Sequence, residues 1–383
     1  MTPASHVLWQ SARSEQPIVA RVAVAGDFLP AGSLSLPREG WNEAARSVAS
    51  IFEDVDFTFL NLECPLDVSG LTARPLGGIG AIVSAESNSL DYLGNIRSKA
   101  VGIANNHAYD FGATGVERTR FSLEAHNFVP LGAGRMVAHE PELFVWHGPG
   151  DVRIGFWAAA RASHDLATRR TAGVEPATVS RARRAASLLK SRGANFAVAL
   201  LHCGCIRASR PDPSDAARMD RIASCGFDSV CASHSHRIGG SRVIHRDGAA
   251  SAFCFYGLGS IVSGFVASPL EREGLVVVAG FHTDGSLASV EVRPVWLAEC
   301  GIGEVPPPEI ARSILERFLG LTAEITDGTS ARRFYQEISP GVLPLYTRDL
   351  RAAFRQSGLR GLARKAGRIR PRHLRRLLHG VIR

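Results

Sequence analysis

The sequence has no run of about 18 uncharged apolar residues, the length a membrane-crossing helix requires, so no such helix is expected. Met1 to Pro17 has no basic start followed by an apolar block, and no secretory leader is expected from it. Regular cysteine spacing is also missing. The seven cysteines (Cys64, Cys203, Cys205, Cys225, Cys231, Cys254 and Cys300) are an odd number at irregular intervals. They read as reduced thiols, several of them buried, rather than as a disulfide framework. Cys203 and Cys205 form a C-x-C pair able to offer metal thiolates, but core thiols suit the burial habit of free cysteine better. Excess positive charge is missing from most of the chain. Residues 348–383 carry twelve Arg or Lys against Asp349 alone, a net +11 within a total of +8, which leaves the body at −3.

The 383 residues suffice for one large α/β domain or two smaller ones, and 45% hydrophobic with 21% charged residues is ordinary for a globular protein. Apolar runs predict core strands at 18–25, 57–62, 100–103, 152–160, 196–201, 228–232, 253–258 and 274–281. Helical spacing of apolar residues predicts helices over 39–53, 115–126, 177–192 and 215–225. Pro306 to Pro308 marks a boundary before a further helical segment, and glycines over 70–80 suggest a mobile loop. Gly257, Gly259 and Ser260 read as a tight turn. Strands alternating with helices imply a mixed or parallel sheet covered on both sides.

The strand ends carry the chemistry. Asp27 follows the first run, Glu63 the second, Asn106 and His107 the third; His202 closes the run at 196–201, and His234 and His236 follow the one at 228–232. Alone, each has a plainer reading: Asp27 as a turn or cap, Glu63 as a solvated carboxylate, His202 as a core histidine, Asn106 as a cap. Together they occupy the strand-end position where open α/β sheets place their sites. Carboxylate, carboxamide and imidazole suit Mn²⁺, Fe²⁺ or Zn²⁺ better than Ca²⁺. Seven candidates are too many for one tetrahedral ion. They suit two ions about 3.5–4 Å apart bridged by a carboxylate, for which Glu63 is the natural choice, an arrangement used in phosphoester hydrolysis. Water activated there would attack while His107 protonates the leaving oxygen, and Asp110 could fix the tautomer of His107.

Gly26-Asp27-Phe28-Leu29, Asn61-Leu62-Glu63-Cys64-Pro65-Leu66, Ala104-Asn105-Asn106-His107-Ala108-Tyr109-Asp110-Phe111-Gly112 and Tyr256-Gly257-Leu258-Gly259-Ser260 resemble the CapA family. These are bacterial capsule and poly-γ-glutamate synthesis proteins of the calcineurin-like metallophosphatase superfamily. The resemblance covers roughly Val22 to Val266 and implies a metallophosphatase-like α/β layered sandwich of mixed sheets flanked by helices, over 18–300. By analogy Asp27 and His236 serve one ion, Asn106, His202 and His234 the other, with Glu63 between them. The chain departs from the family where His-Trp-Gly-x-Glu becomes His202-Cys203-Gly204-Cys205-Ile206, so the Trp and Glu are missing. One ion is therefore expected to have few protein ligands.

The C-terminal part divides into a helical extension over 301–347 and the basic stretch 348–383. From Pro371, Leu374, Leu377, Leu378, Val381 and Ile382 recur at helical spacing with arginines largely elsewhere. Adsorption to an anionic membrane surface and packing of a terminal helix on the body are both open. Nucleic acid is disfavoured, because Phe354 is the stretch's one aromatic residue among Phe, Trp and Tyr. The expected role is that of a divalent-metal hydrolase in capsule, poly-γ-glutamate or exopolysaccharide assembly. It would work with the polymer biosynthesis machinery, in the cytoplasm or on the inner membrane face. The rival is a non-catalytic assembly or export factor on the same fold.

Overall fold

The computed structural model describes residues 5–340 except 33, 35–37, 74–81, 98, 162–164, 247–248 and 339, together with 355 and 358. Most of the expected loop at 70–80 and nearly all of the basic stretch 348–383, including the amphipathic helix expected from Pro371, lie outside the described residues.

In chain order the strands begin with β1 (His6–Gln10), β2 (Ala20–Leu29), β3 (Phe57–Leu62), β4 (Lys99–Gly102) and β5 (Phe128–Leu131). Then come β6 (Ala133–Arg135), β7 (Phe144–His147), β8 (Arg153–Ala160), β9 (Gly173–Val174), β10 (Phe196–His202) and β11 (Ser229–Ser233). The last are β12 (Ser241–Arg246), β13 (Ala249–Phe255), β14 (Ser260–Ser263), β15 (Glu273–Phe281), β16 (Leu287–Leu297) and β17 (Gly303–Glu304). The α-helices are α1 (Arg38–Ser50), α2 (Gly112–Ala125), α3 (Val179–Ser191), α4 (Pro213–Ala223) and α5 (Pro308–Thr326). Two have explicit starts: the Thr178 side chain accepts from Arg181 N, and Asp212 accepts from Ser214 N ahead of Pro213.

One large sheet runs β1-β16-β15-β2-β3-β4-β5, the second runs β12-β13-β11-β10-β8-β7, and β6 pairs with β9 in a small third sheet. The first has four parallel strands at one end, β2-β3-β4-β5, with antiparallel strands beyond β2, and the second has four at its centre, β8-β10-β11-β13, with an antiparallel strand on each side. This is the layered sandwich of mixed sheets that the sequence implied. The expected tight turn at Gly257–Ser260 is corrected: Ser260 opens β14, which pairs in parallel with the end of β2.

Side-chain parity builds the layers. In β10, Phe196, Val198 and Leu200 enter the core between the sheets, while Ala197, Ala199 and Leu201 join the outer cluster with α3 and α4 residues Ala182, Leu189 and Ile222. Phe156 of β8 lies with its ring centroid 4.9 Å from Phe57 and 5.1 Å from Phe59 of the opposite sheet. Phe196 meets Phe281 at 5.2 Å. Inward side chains shrink toward the carboxyl ends: Phe156 gives way to Ala158 and Ala160, and β4 closes on Gly102, where a Cβ would sit 3.2 Å from that of Ala158. Small residues let the two sheets approach where the polar residues emerge. α5 also enters the core, through Ile314, Phe318 and Leu321.

Asp27 reaches that end through a local irregularity. Val24 pairs with Phe59 but Asp27 with Asn61, so β2 has one residue more than β3 over the interval. This bulge turns Asp27 onto the face that strict alternation would give to Gly26. Gly26 is required there, because a Cβ would lie 2.0 Å from Gly259 O, the same oxygen that accepts from Asp27 N at 3.0 Å. Gly26→Ala is expected to lower stability by about 3 kcal/mol or more, as backbone must shift. A urea midpoint equal to wild type would reject this account.

Candidate metal centre

Asp27, Glu63, His202 and His234 are buried, and His236 is partly so. They come from four strand ends in two sheets and meet around one carboxylate. Glu63 Oε1 lies 3.3 Å from His202 Nε2 and 3.9 Å from His234 Nδ1; Glu63 Oε2 lies 3.6 Å from His236 Nδ1. His236 Nδ1 is also 3.3 Å from Asp27 Oδ2. The result is two triads that share Glu63: Glu63-His202-His234 and Asp27-Glu63-His236, each with its ligand atoms within 4.8 Å of one another. Asn106 Oδ1 stands 2.6 Å from His202 Nε2, on the side of the first triad. His107 and Asp110 form a separate pair, Nδ1 to Oδ2 at 2.8 Å, and Val83 N also donates to that oxygen.

Three residues not singled out as site residues from the sequence hold this arrangement. Asn61 donates to Asp27 Oδ1 at 2.8 Å, and Asn105 donates to Asn61 Oδ1 at 3.3 Å and to Leu62 O at 2.6 Å. Asn105 Oδ1 accepts from His107 N at 3.0 Å, so one amide joins the end of β3 to the turn bearing Asn106 and His107. Ser233 Oγ is 3.2 Å from His202 Nδ1, leaving Nε2 for the centre. Asn61 had a visible signal: it shares parity with Phe57 and Phe59. Ser233 had none, because only the pairing of β10 with β11 sets it opposite His202.

The donor set fits a cation. Glu63 Oε2, His234 Nδ1 and His236 Nδ1 are buried without hydrogen-bond partners, which leaves acceptor and ligand atoms aimed at a common space. The H-x-H turn is strained, with φ of 105° at His234 and 55° at His236, a conformation that side chains tolerate where their direction matters. The cysteines stand apart. Cys203 belongs to the outer cluster, burial pushes its thiol up to about 12, and among the described residues no candidate metal group includes a cysteine.

Burial opposes ionisation of Glu63, but the neighbouring His236 and His202 prevail and hold its carboxyl well below the usual range. Burial, reinforced by His202, pushes His234 down to about 4. Burial also opposes charge on His236, yet Glu63 and Asp27 prevail and raise it to about 9. In metal-free protein the His236 contribution is therefore complete below its ordinary 6.5 and lost as pH rises through about 9. His234 acts oppositely: its neutral native form costs stability as pH falls below 6.5 toward 4. Metal-free stability is expected to peak near neutrality and to fall by on the order of 3 kcal/mol toward pH 9. Urea midpoints in chelator would show this, with the alkaline fall absent in His236→Gln; a flat wild-type profile above pH 6.5 contradicts it.

A family model described as bacterial capsule synthesis protein PGA_cap matches residues 21–264, well over half of the chain. The chain belongs to that family. All the candidate ligands lie inside the PGA_cap region, and α5 lies beyond it. No curated protein matches the chain. Among solved structures it is similar to NAD nucleotidase of Haemophilus influenzae, at 12% identity and a TM-score of 0.43, over 79% of this chain and 56% of that one. It is also similar to a 5'-nucleotidase precursor of Thermus thermophilus, at 15% identity and 0.44, over 79% and 58%. For 5'-nucleotidase of Candida albicans the values are 9% and 0.39, over 84% and 59%. The PGA_cap chain thus spans a little over half the length of each of these. Among its described residues no helix is long and apolar enough to cross a membrane.

Proposed function

We propose that this PGA_cap protein is a hydrolase using one or two divalent ions, of the Mn²⁺, Fe²⁺ or Zn²⁺ type, on a phosphoester or polymer-linked intermediate of capsule, poly-γ-glutamate or exopolysaccharide assembly. The observation that carries the reading is Glu63, whose two oxygens face two different histidine groups while Oε2 has no hydrogen-bond partner. Asp27 and His236 would hold one ion; His202, His234 and Asn106 would hold the other. When bound, such ions supply Lewis-acid activation of water and of the phosphoryl oxygens. The chain's own groups do the rest. His107 turns Nδ1 to Asp110, which places its exchangeable proton at Nε2 for delivery to a leaving oxygen. Asn61, Asn105 and Ser233 keep the ligands oriented before substrate arrives.

A non-catalytic assembly factor is the second reading, favoured by Ile206, half-exposed where relatives place Glu. Elemental analysis of purified protein, with turnover of an activated phosphodiester in Mn²⁺, Fe²⁺ or Zn²⁺, separates the two. Bound metal with turnover supports the hydrolase; bound metal with no turnover in any of the three supports the assembly factor. Working partners within the polymer assembly machinery, and contact of 348–383 with an anionic membrane surface, belong to the same proposal. Deleting 348–383 should abolish binding to anionic vesicles, and unchanged binding would remove the membrane role.

A further inference from the structure

The loop that follows His202 and the turn that carries His234 and His236 are held together from outside the family region. After α5 the chain is helical again over 330–338, where Phe334 and Ile338 bury themselves against Ala208. From this helix Glu337 accepts from Ser209 N at 2.9 Å with Oε1 and from Arg210 N at 3.3 Å with Oε2. The same Oε1 is 3.5 Å from Arg237 Nη1. Arg237 directly follows His236, and its Nη2 lies 3.4 Å from Ser268 Oγ and 3.9 Å from Glu271. Ser235 completes the tie: its carbonyl accepts from Arg207 N at 2.9 Å, and its hydroxyl donates to Arg237 O at 2.9 Å. One carboxylate therefore grips both segments from which three of the candidate imidazoles project.

That grip matters because His234 and His236 occupy left-handed backbone conformations that relax unless neighbouring groups hold them. Charge-assisted bonds from one carboxylate to two amides and to the guanidiniums of Arg210, at 3.4 Å, and Arg237 are well suited to do so. We propose that Glu337 is a positioning residue of the metal centre, which sets the spacing of His202 against His234 and His236 through Arg237 and the 209–210 backbone. The proposal rests on the reading that the centre holds metal, and it places a determinant of that centre in the C-terminal helical extension.

The test uses the full chain with Co²⁺ as probe, in wild type, Glu337→Gln, Arg237→Gln and the double variant. Glu337→Gln is expected to weaken Co²⁺ binding about 10–100-fold, the usual effect of removing a group that orients ligands, and to alter the visible spectrum of the bound ion. The double variant should bind no more weakly than the weaker single one, because the two residues act as one unit. Glu337→Asp, which keeps the charge, should recover part of the affinity, as a merely stabilising contact would not require. If Glu337→Gln does not fold, Arg237→Gln reads the same link. Wild-type affinity and spectrum in Glu337→Gln, or in Arg237→Gln where it substitutes, would overturn this role alone. Failure of wild type itself to take up Co²⁺ would overturn the metal reading and this role with it.

Discussion

Glu63→Gln is expected to strip metal from both halves of the centre in a single step. Glu63 is the one residue common to the two triads, and its oxygens divide between His202 and His234 on one side and His236 on the other. An amide keeps the shape but removes the charge and one anionic oxygen. The loss of affinity should exceed the ~10–100-fold typical of groups that only orient ligands, and metal per chain should fall toward zero. His236→Ala should instead weaken the side shared with Asp27, and His234→Ala the side shared with His202. Elemental analysis across the three variants checks the pattern. If Glu63→Gln retained the wild-type metal content while either histidine variant lost it, the shared-carboxylate geometry would be wrong. In the metal-free chain the amide also withdraws a charge partner from His236, so a lowered urea midpoint is expected alongside the loss of metal, and metal content is compared on folded protein.

His107→Ala should lower turnover of a phosphodiester with a basic leaving group about 10²–10⁴-fold with little change in bound metal, the range usual for loss of a general acid. His107 belongs to neither triad; its Nδ1 is engaged by Asp110 at 2.8 Å, and its backbone N by Asn105. An activated leaving group needs less protonation, so the loss should grow as the leaving group becomes more basic. That dependence separates an acid from a residue that merely shapes the pocket. Equal losses for good and poor leaving groups would remove His107 from the proton-transfer role, and loss of metal in parallel would make it a ligand instead. Asp110→Asn should follow the same trend more weakly, since the amide oxygen can still accept from Nδ1 and hold the ring.

Much of the sandwich was readable because its central strands are mostly apolar runs, and the runs at 57–62, 196–201 and 274–281 agree closely with β3, β10 and β15. β16 was not readable: Glu291, Arg293 and Pro294 break its pattern, though Arg293 is buried and held by Glu291 and Asp54. β1 and β12 lie at sheet edges, and edge strands carry weaker burial signals than central ones. α2 begins at Gly112 rather than Gly115, directly behind the His107–Asp110 turn.

Local chemistry alone placed the candidate ligands at strand ends, because a buried strand must shed its apolar character where it leaves the core, and the residues that follow can carry polar side chains. Which of those ends meet was decided by the tertiary structure. The bulge before Asp27, the parallel pairing of β10 with β11, and the small inward residues at one end of the sandwich bring residues more than two hundred positions apart within bonding distance. Sequence periodicity specifies which face a side chain takes within its own strand; it carries no information on which strand of another sheet that face will meet, and it was this meeting that made five separate polar residues into one centre.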